Sequence, residues 1–326
     1  MGVRLFFVLS GLLITGILLR SRDAADHAHA KRLSHLLRFY ARYCLRIFPL
    51  YYFVIAVGVA LNMEAAREYI FWLLTYTLNI KMAHQGWYIA NFAHFWTLAV
   101  EEQFYLAWPW IVFFLPRKWL VVAAIVMLSA GPLYRLYHVI GWAYFNSEAT
   151  GLRTYMSTFT CLDSLGMGAL LAVLTHDAHC PRKLCRRFAV TFLPIGVSTY
   201  IGFAVIERVN GHGELGMVFS NVSLSMIYLW LVYAAAVGFG GILGRFLQLK
   251  PLTYIGKISY GIYVYHPFVP GMMLLVFERL GWPYPTSPWI GFAMLAFVTL
   301  IVSSISWYLF ESPINNLKRY LPADPK

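Results

Sequence analysis

Long apolar runs separated by short polar loops organise the chain. A membrane-crossing helix needs about 20 mostly apolar residues, within about 17–25. Nine runs meet or approach that length: 3–19, 47–62, 95–115, 119–140, 156–174, 188–206, 217–237, 258–278 and 288–310. A tenth, YIFWLLTYTLNI at 69–80, is too short to cross and reads as interfacial or re-entrant. The longest polar stretch, 20–46, ends in SHLLRFYARYCLRIFP, which predicts an amphipathic helix lying on the membrane surface before the second span. No linker or repeat sets off a second domain. The pattern predicts an all-α, polytopic transmembrane helical bundle of about nine spans, one membrane domain over 1–314 and a short basic tail over 315–326.

Composition narrows the class. The chain is 60% hydrophobic and 12% charged, with a mean hydropathy of +0.62. Soluble domains run about 45–50% apolar and about 25% charged, and disorder needs the opposite bias. The net charge of +12 falls in short loops rather than on a water-exposed domain, so membrane lipids and not nucleic acid are the expected partners. With 69–80 not crossing and 20–46 inside, nineteen of the 26 Lys and Arg residues fall on the inner side. The C-terminus is then cytoplasmic and the N-terminus outside, an orientation that calls for one more helix upstream. Cys44, Cys161, Cys180 and Cys185 are expected as reduced thiols. His176 and His179 share a loop without further ligands, so no metal is expected.

Ionisable groups inside spans are costly and point to function. In HFWTLAVEEQFYLAWPW, Glu101 lies seven residues after His94 and almost on its face, with Glu102 about 80° away. The pair reads as a general base or proton path, or as a carboxylate neutralised by an arginine elsewhere. Asp163 sits mid-span just before Gly166 and Gly168, where small residues allow close helix contact. It can bind a hydroxyl substrate, pair a cation or join helices by a hydrogen bond. His266 precedes Pro267, which kinks a helix, and Tyr263 is one turn earlier. His266 is a cavity-lining group or a satisfied structural histidine. Glu311 at the inner end of the last span is expected to pair an arginine. Arg38, Arg42 and Arg46 fall within about 80° on one helix face. Their ligands are anionic lipid headgroups or the phosphates of a soluble molecule.

The stretches GVRLFFVLSGLLITGILL, RYCLRIFPLYY, HFWTLAVEEQFYLAWP, STFTCLDSLGMGALLA, ISYGIYVYHPF and FESP occur in this order across nearly the whole chain. Together they resemble the acyltransferase 3 family of integral membrane O-acyltransferases. The resemblance implies transfer of an acyl group, often acetyl, from cytoplasmic acyl-CoA to a hydroxyl of an extracytoplasmic glycan, glycolipid or similar acceptor. It implies the bacterial inner membrane, acyl-CoA as a co-substrate and no bound cofactor. Arg42 and Arg46 fall in the family's basic motif for the CoA phosphates, though the family often has adjacent arginines where this chain has Arg42 and Tyr43; Arg38, one turn earlier, is the expected compensation. The family usually carries an acid where this chain has Arg4 and an arginine where it has Cys161. Its proposed base is a histidine in a span upstream of the FFVLSG helix, before the position of Met1. His94 with Glu101, then Glu102 and His266, are the candidate catalytic groups within this sequence; Asp163, Tyr263 and Glu311 are candidate acceptor-binding or structural groups. A transporter or flippase using the same intramembrane residues, and an inactive truncated relative, are the rival readings.

Overall fold

The computed structural model describes residues 2–86, 88–89, 91–145, 154–176, 182–210 and 214–321. Every regular element among them is helical. Helix α1 (Gly2–His27) enters the centre of the bundle. Helix α2 (Arg32–Ala60) runs unbroken for 29 residues. The separate surface helix expected before the second span does not form. The amphipathic segment and the span are one helix continuing through Pro49, and tertiary packing holds it there despite the backbone hydrogen bond that proline removes.

The 69–80 run does not cross. After the short α3 (Glu64–Glu68), it is split between α4 (Ile70–Leu74) and the start of α5 (Leu78–Gln85). The break between α4 and α5 falls at Tyr76, whose φ of 52° is left-handed. Gln103 pins this turn, donating to the Tyr76 carbonyl at 2.8 Å and to Asn79 at 3.0 Å.

Helix α6 (Phe95–Phe114) carries the two adjacent glutamates. After α7 (Arg117–Phe145), helix α8 (Thr158–His176) is buried along most of its length, packed against both α1 and α7. Its glycines set those contacts. A Cβ on Gly166 would meet the α7 backbone at Leu128 N, 2.9 Å away, and Ala124 O, 3.0 Å away. Helices α9 (Arg182–Asn210) and α10 (Glu214–Val237) form a pair, with α10 also touching α1. Short helices α11 (Gly241–Leu247) and α12 (Lys250–Lys257) lead to α13 (Ser259–Tyr265) and α14 (Val269–Leu280). The last two are bent by 62° where His266 and Pro267 stand, the kink that the proline predicts. Helix α15 (Pro288–Ser306) continues through a π-helical turn (Trp307–Glu311), α16 (Ser312–Asn315) and a 3₁₀ turn (Asn316–Tyr320).

Seven of the described helices are long and apolar enough to cross a membrane, and the bent α13–α14 pair makes an eighth if it is one span. Helix α6, 20 residues long, is not among them because Glu101, Glu102 and Gln103 lower its hydropathy, so the described helices give seven or eight crossing segments against the nine expected. Large apolar side chains such as Leu106, Leu133, Phe292 and Leu309 are more than 60% exposed, as suits surfaces facing lipid. The chain is a multi-pass membrane protein.

One end of the bundle is tied by charge. Arg22 donates to the Val112 and Leu115 carbonyls at 2.6 and 2.9 Å, satisfying the open C-terminus of α6. Arg32 grips Asp26 through two bonds and reaches the Phe113 carbonyl. Asp23 takes Arg117 and His176. Three segments assigned to one side by their charge therefore meet at one end. Arg4 and Arg135, which fall inside the 3–19 and 119–140 runs and count with the seven outer charges, are buried within the bundle. Cys44 and Cys161 are free thiols. Cys180 and His179 lie outside the described residues, as does the side chain of Cys185.

Candidate active site

The kink at Pro267 brings two histidines together. The rings of His94, just before α6, and His266, just after α13, have centroids 5.4 Å apart. Nε2 of His94 lies 3.2 Å from the Val264 carbonyl oxygen. A carbonyl only accepts, so Nε2 carries the proton and Nδ1 holds the basic lone pair. Nδ1 of His266 lies 2.8 Å from the Tyr263 carbonyl, which leaves Nε2 as its basic atom. His266 is exposed and His94 half-buried. Tyr263 locks the arrangement: its hydroxyl donates to the His94 carbonyl and meets the Thr97 hydroxyl. Burial, with His266 beside it, pushes the His94 imidazole down, to about 3, so it is neutral near neutral pH. His94 stands outside the α6 span, at its N-terminal cap.

The two glutamates face different helices. Glu101 is buried and accepts from Ser10 of α1 and from Tyr105 at 3.1 Å. Glu102 accepts from Tyr43 of α2. Tyr105 and Tyr43 are in edge contact, with centroids 5.0 Å apart, so one aromatic layer joins both carboxylates. Along a helix rising 1.5 Å per residue, Glu101 lies roughly 10 Å from His94. The structure therefore pairs His94 with His266 and gives Glu101 the partners Ser10 and Tyr105.

Asp163 is fully buried between two arginines. Oδ1 accepts from Arg4 at 3.3 Å and Oδ2 from Arg135. The Ser164 amide and hydroxyl also donate to Oδ1, at 2.6 and 3.0 Å. Both guanidiniums donate to the Thr160 carbonyl as well. Gly131 makes room, since a Cβ there would sit 2.8 Å from that of Asp163. Among the open readings of Asp163, this is cation pairing across α1, α7 and α8. Neither arginine was marked by the sequence pattern. Arg4 lies at the start of the 3–19 run and Arg135 three residues after Pro132 inside the 119–140 run, with no partner beside either in the sequence.

On α2, Arg38 and Arg42 are half-buried and Arg46 is exposed. The C-terminal turn packs on this helix and places Lys318 within electrostatic range of Arg42 and Arg46. The sequence marked Lys318 only as part of a basic tail. Glu311 ends the π-helical turn and accepts from Ser306 at 3.0 Å, which in turn receives the Tyr265 hydroxyl at 3.1 Å. Among the described residues no arginine pairs with Glu311. Its place in the sequence could not show that a π-turn folds its carboxylate back onto Ser306.

The family model described as an acyltransferase domain matches residues 1–308. The chain belongs to the acyltransferase 3 family. This acyltransferase 3 chain is similar to O-acetyltransferase OatA of Staphylococcus aureus strain NCTC 8325, 26% identical over 332 residues, covering 96% of the chain and 52% of that protein. It is similar to the same degree, 26%, to the putative peptidoglycan O-acetyltransferase YrhL of Bacillus subtilis, covering 96% of the chain and 50% of that protein. Peptidoglycan O-acetyltransferase OatA of Listeria monocytogenes is also 26% identical, over 96% of the chain and 51% of its own length. The chain thus spans about half the length of these relatives. No solved structure matches it.

Proposed function

We propose that the chain is the membrane unit of an O-acyltransferase that moves an acyl group, acetyl by analogy with its relatives, from cytoplasmic acyl-CoA to a hydroxyl of a cell-envelope glycan in the bacterial inner membrane. Peptidoglycan, named in two of those relatives, is the leading acceptor. The observation that carries the reading is the convergence of His94 and His266 with their proton positions set by two carbonyls. Nε2 of the exposed His266 is open to an incoming hydroxyl, whereas Nδ1 of His94 is buried behind it. The acceptor O–H proton moves to the imidazole, the acceptor oxygen bonds to the acyl carbon, and the carbon–sulfur bond breaks. CoA departs as a thiolate that takes the proton from the imidazolium. Arg38, Arg42 and Arg46, with Lys318, supply charge for the phosphates of the donor.

The test is acetyl transfer from acetyl-CoA to a glycan acceptor by the protein in lipid nanodiscs. Replacing a general base costs about 10²–10⁴-fold in rate. His266→Ala should fall in that range with donor binding unchanged. Transfer at the wild-type rate in both His266→Ala and His94→Ala would remove the histidines from the chemistry.

A further inference from the structure

A cavity of about 370 Å³ opens beside α3, lined in part by Glu64, Glu68, Tyr69, Tyr88 and Asn91. Glu64 and Glu68 are one helical turn apart, so both project from the same face, and both are exposed. Tyr69 is 8% exposed and Tyr88 56% exposed. Tyr69 thus lies deep and its hydroxyl faces Gln85 at 3.5 Å, whereas the Tyr88 ring stands open to solvent. Asn91 on the rim has a left-handed backbone, φ 58°. It precedes His94 by three residues, a chain separation of at most about 11 Å.

We propose that this cavity holds a sugar unit of the acceptor, and that it takes a neutral or amine-bearing sugar and rejects an acidic one. The proposal rests on the acyl-transfer reading and adds the binding site and charge class of the acceptor. Ionised carboxylates only accept hydrogen bonds, and sugar hydroxyls and ammonium groups donate them. Tyrosine rings offer apolar faces to the C–H side of a pyranose while their hydroxyls stay polar. The asparagine amide both donates and accepts. The volume lies in the range of small-molecule sites, about 300–1,000 Å³. Two carboxylates on one wall repel a uronate or a phosphate, which is the exclusion that specificity requires. Among the described residues no cluster of ligands suits a metal ion, so these carboxylates are not assembled as a cation site. Asn91 on the rim leads into the turn that carries His94, so the cavity and the histidine pair are joined by three residues of chain.

The experiment uses the full chain in nanodiscs and two probes, the neutral hexosamine oligomer chitotriose and the acidic trigalacturonate, with binding read by saturation-transfer NMR. Wild type should bind chitotriose and not trigalacturonate. Tyr88→Ala, a change at an exposed side chain, should weaken chitotriose about three- to tenfold, as loss of one aromatic contact does. Tyr88→Phe should restore it. The double variant Glu64→Gln/Glu68→Gln should lose the discrimination against trigalacturonate. Gly202→Ala, outside the cavity lining and with nothing within 4 Å, should bind chitotriose as wild type does. Unchanged chitotriose binding in Tyr88→Ala and unchanged discrimination in the double variant would overturn the proposal, as would no binding by wild type. Intact binding at this cavity with no acetyl transfer from acetyl-CoA would support the sugar site and remove the acyl-transfer reading alone.

Discussion

Gly168 lies against Val8 so closely that a Cβ on the glycine would sit 2.0 Å from the Val8 carbonyl oxygen. The contact is matched one turn along α1, where a Cβ on Gly11 would sit 2.1 Å from the Leu165 carbonyl oxygen. Helices α1 and α8 therefore touch backbone to backbone, as small residues permit in lipid. This approach also sets Arg4 against Asp163. Gly168→Ala should force the helices apart and cost about 1–3 kcal/mol of stability, the range for overpacking. Gly202→Ala, at a position with nothing within 4 Å, should be neutral or slightly stabilising. Thermal melts of both variants in nanodiscs make the comparison. Equal melting temperatures would contradict the backbone contact.

The Asp163 cluster predicts an order of damage. Asp163→Asn leaves two guanidiniums buried without a counter-charge, and breaking a buried pair costs about 3–5 kcal/mol. Arg135→Met removes one cation and leaves the Arg4–Asp163 pair, so it should cost less. The double variant Asp163→Asn/Arg135→Met should recover part of the loss. Thermal melts read the order, and an Arg135→Met variant weaker than Asp163→Asn would reverse the assignment of charge.

The depressed imidazole of His94 predicts a pH dependence of stability. Unfolded, a histidine titrates near 6.5, whereas burial holds folded His94 at about 3. Between those values the unfolded chain binds more protons, so stability rises with pH and is lost as pH falls from about 6.5 toward 3. At pH 5 the loss relative to pH 7.5 is about 2 kcal/mol from this group. His94→Asn should show a correspondingly shallower decline in melting temperature over that interval. Parallel declines in the two proteins would count against burial of a neutral imidazole.

The basic face of α2 predicts a donor defect. Arg46→Ala should raise the apparent KM for acetyl-CoA by roughly 10- to 150-fold, the equivalent of one charge-assisted contact of about 1.5–3 kcal/mol. Arg46→Lys should recover only part, since an ammonium lacks the forked donor geometry. Lys318→Ala should raise KM in the same direction. Steady-state kinetics at matched membrane levels give the answer, and an unchanged KM in Arg46→Ala would detach this face from the donor.

The apolar run lengths alone determined the membrane class and the failure of 69–80 to span, because a bilayer requires a minimum length of apolar helix whatever the helix touches. Pro267 likewise announced the bend at His266, since its missing N–H is a local property. Three things required the tertiary structure. Arg4 and Arg135 had no partner legible in the sequence until three helices brought them to Asp163, 159 and 28 residues away. The adjacent glutamates looked alike, but successive helix positions point about 100° apart, so Glu101 meets α1 and Glu102 meets α2. His94 shared a helix face with Glu101, yet it pairs with His266, 172 residues on in the sequence, because the bend at Pro267 brings that ring against it. Periodicity fixes which residues share a face. Only packing decides which other helix that face meets, and partners so distant in sequence leave no local pattern to read.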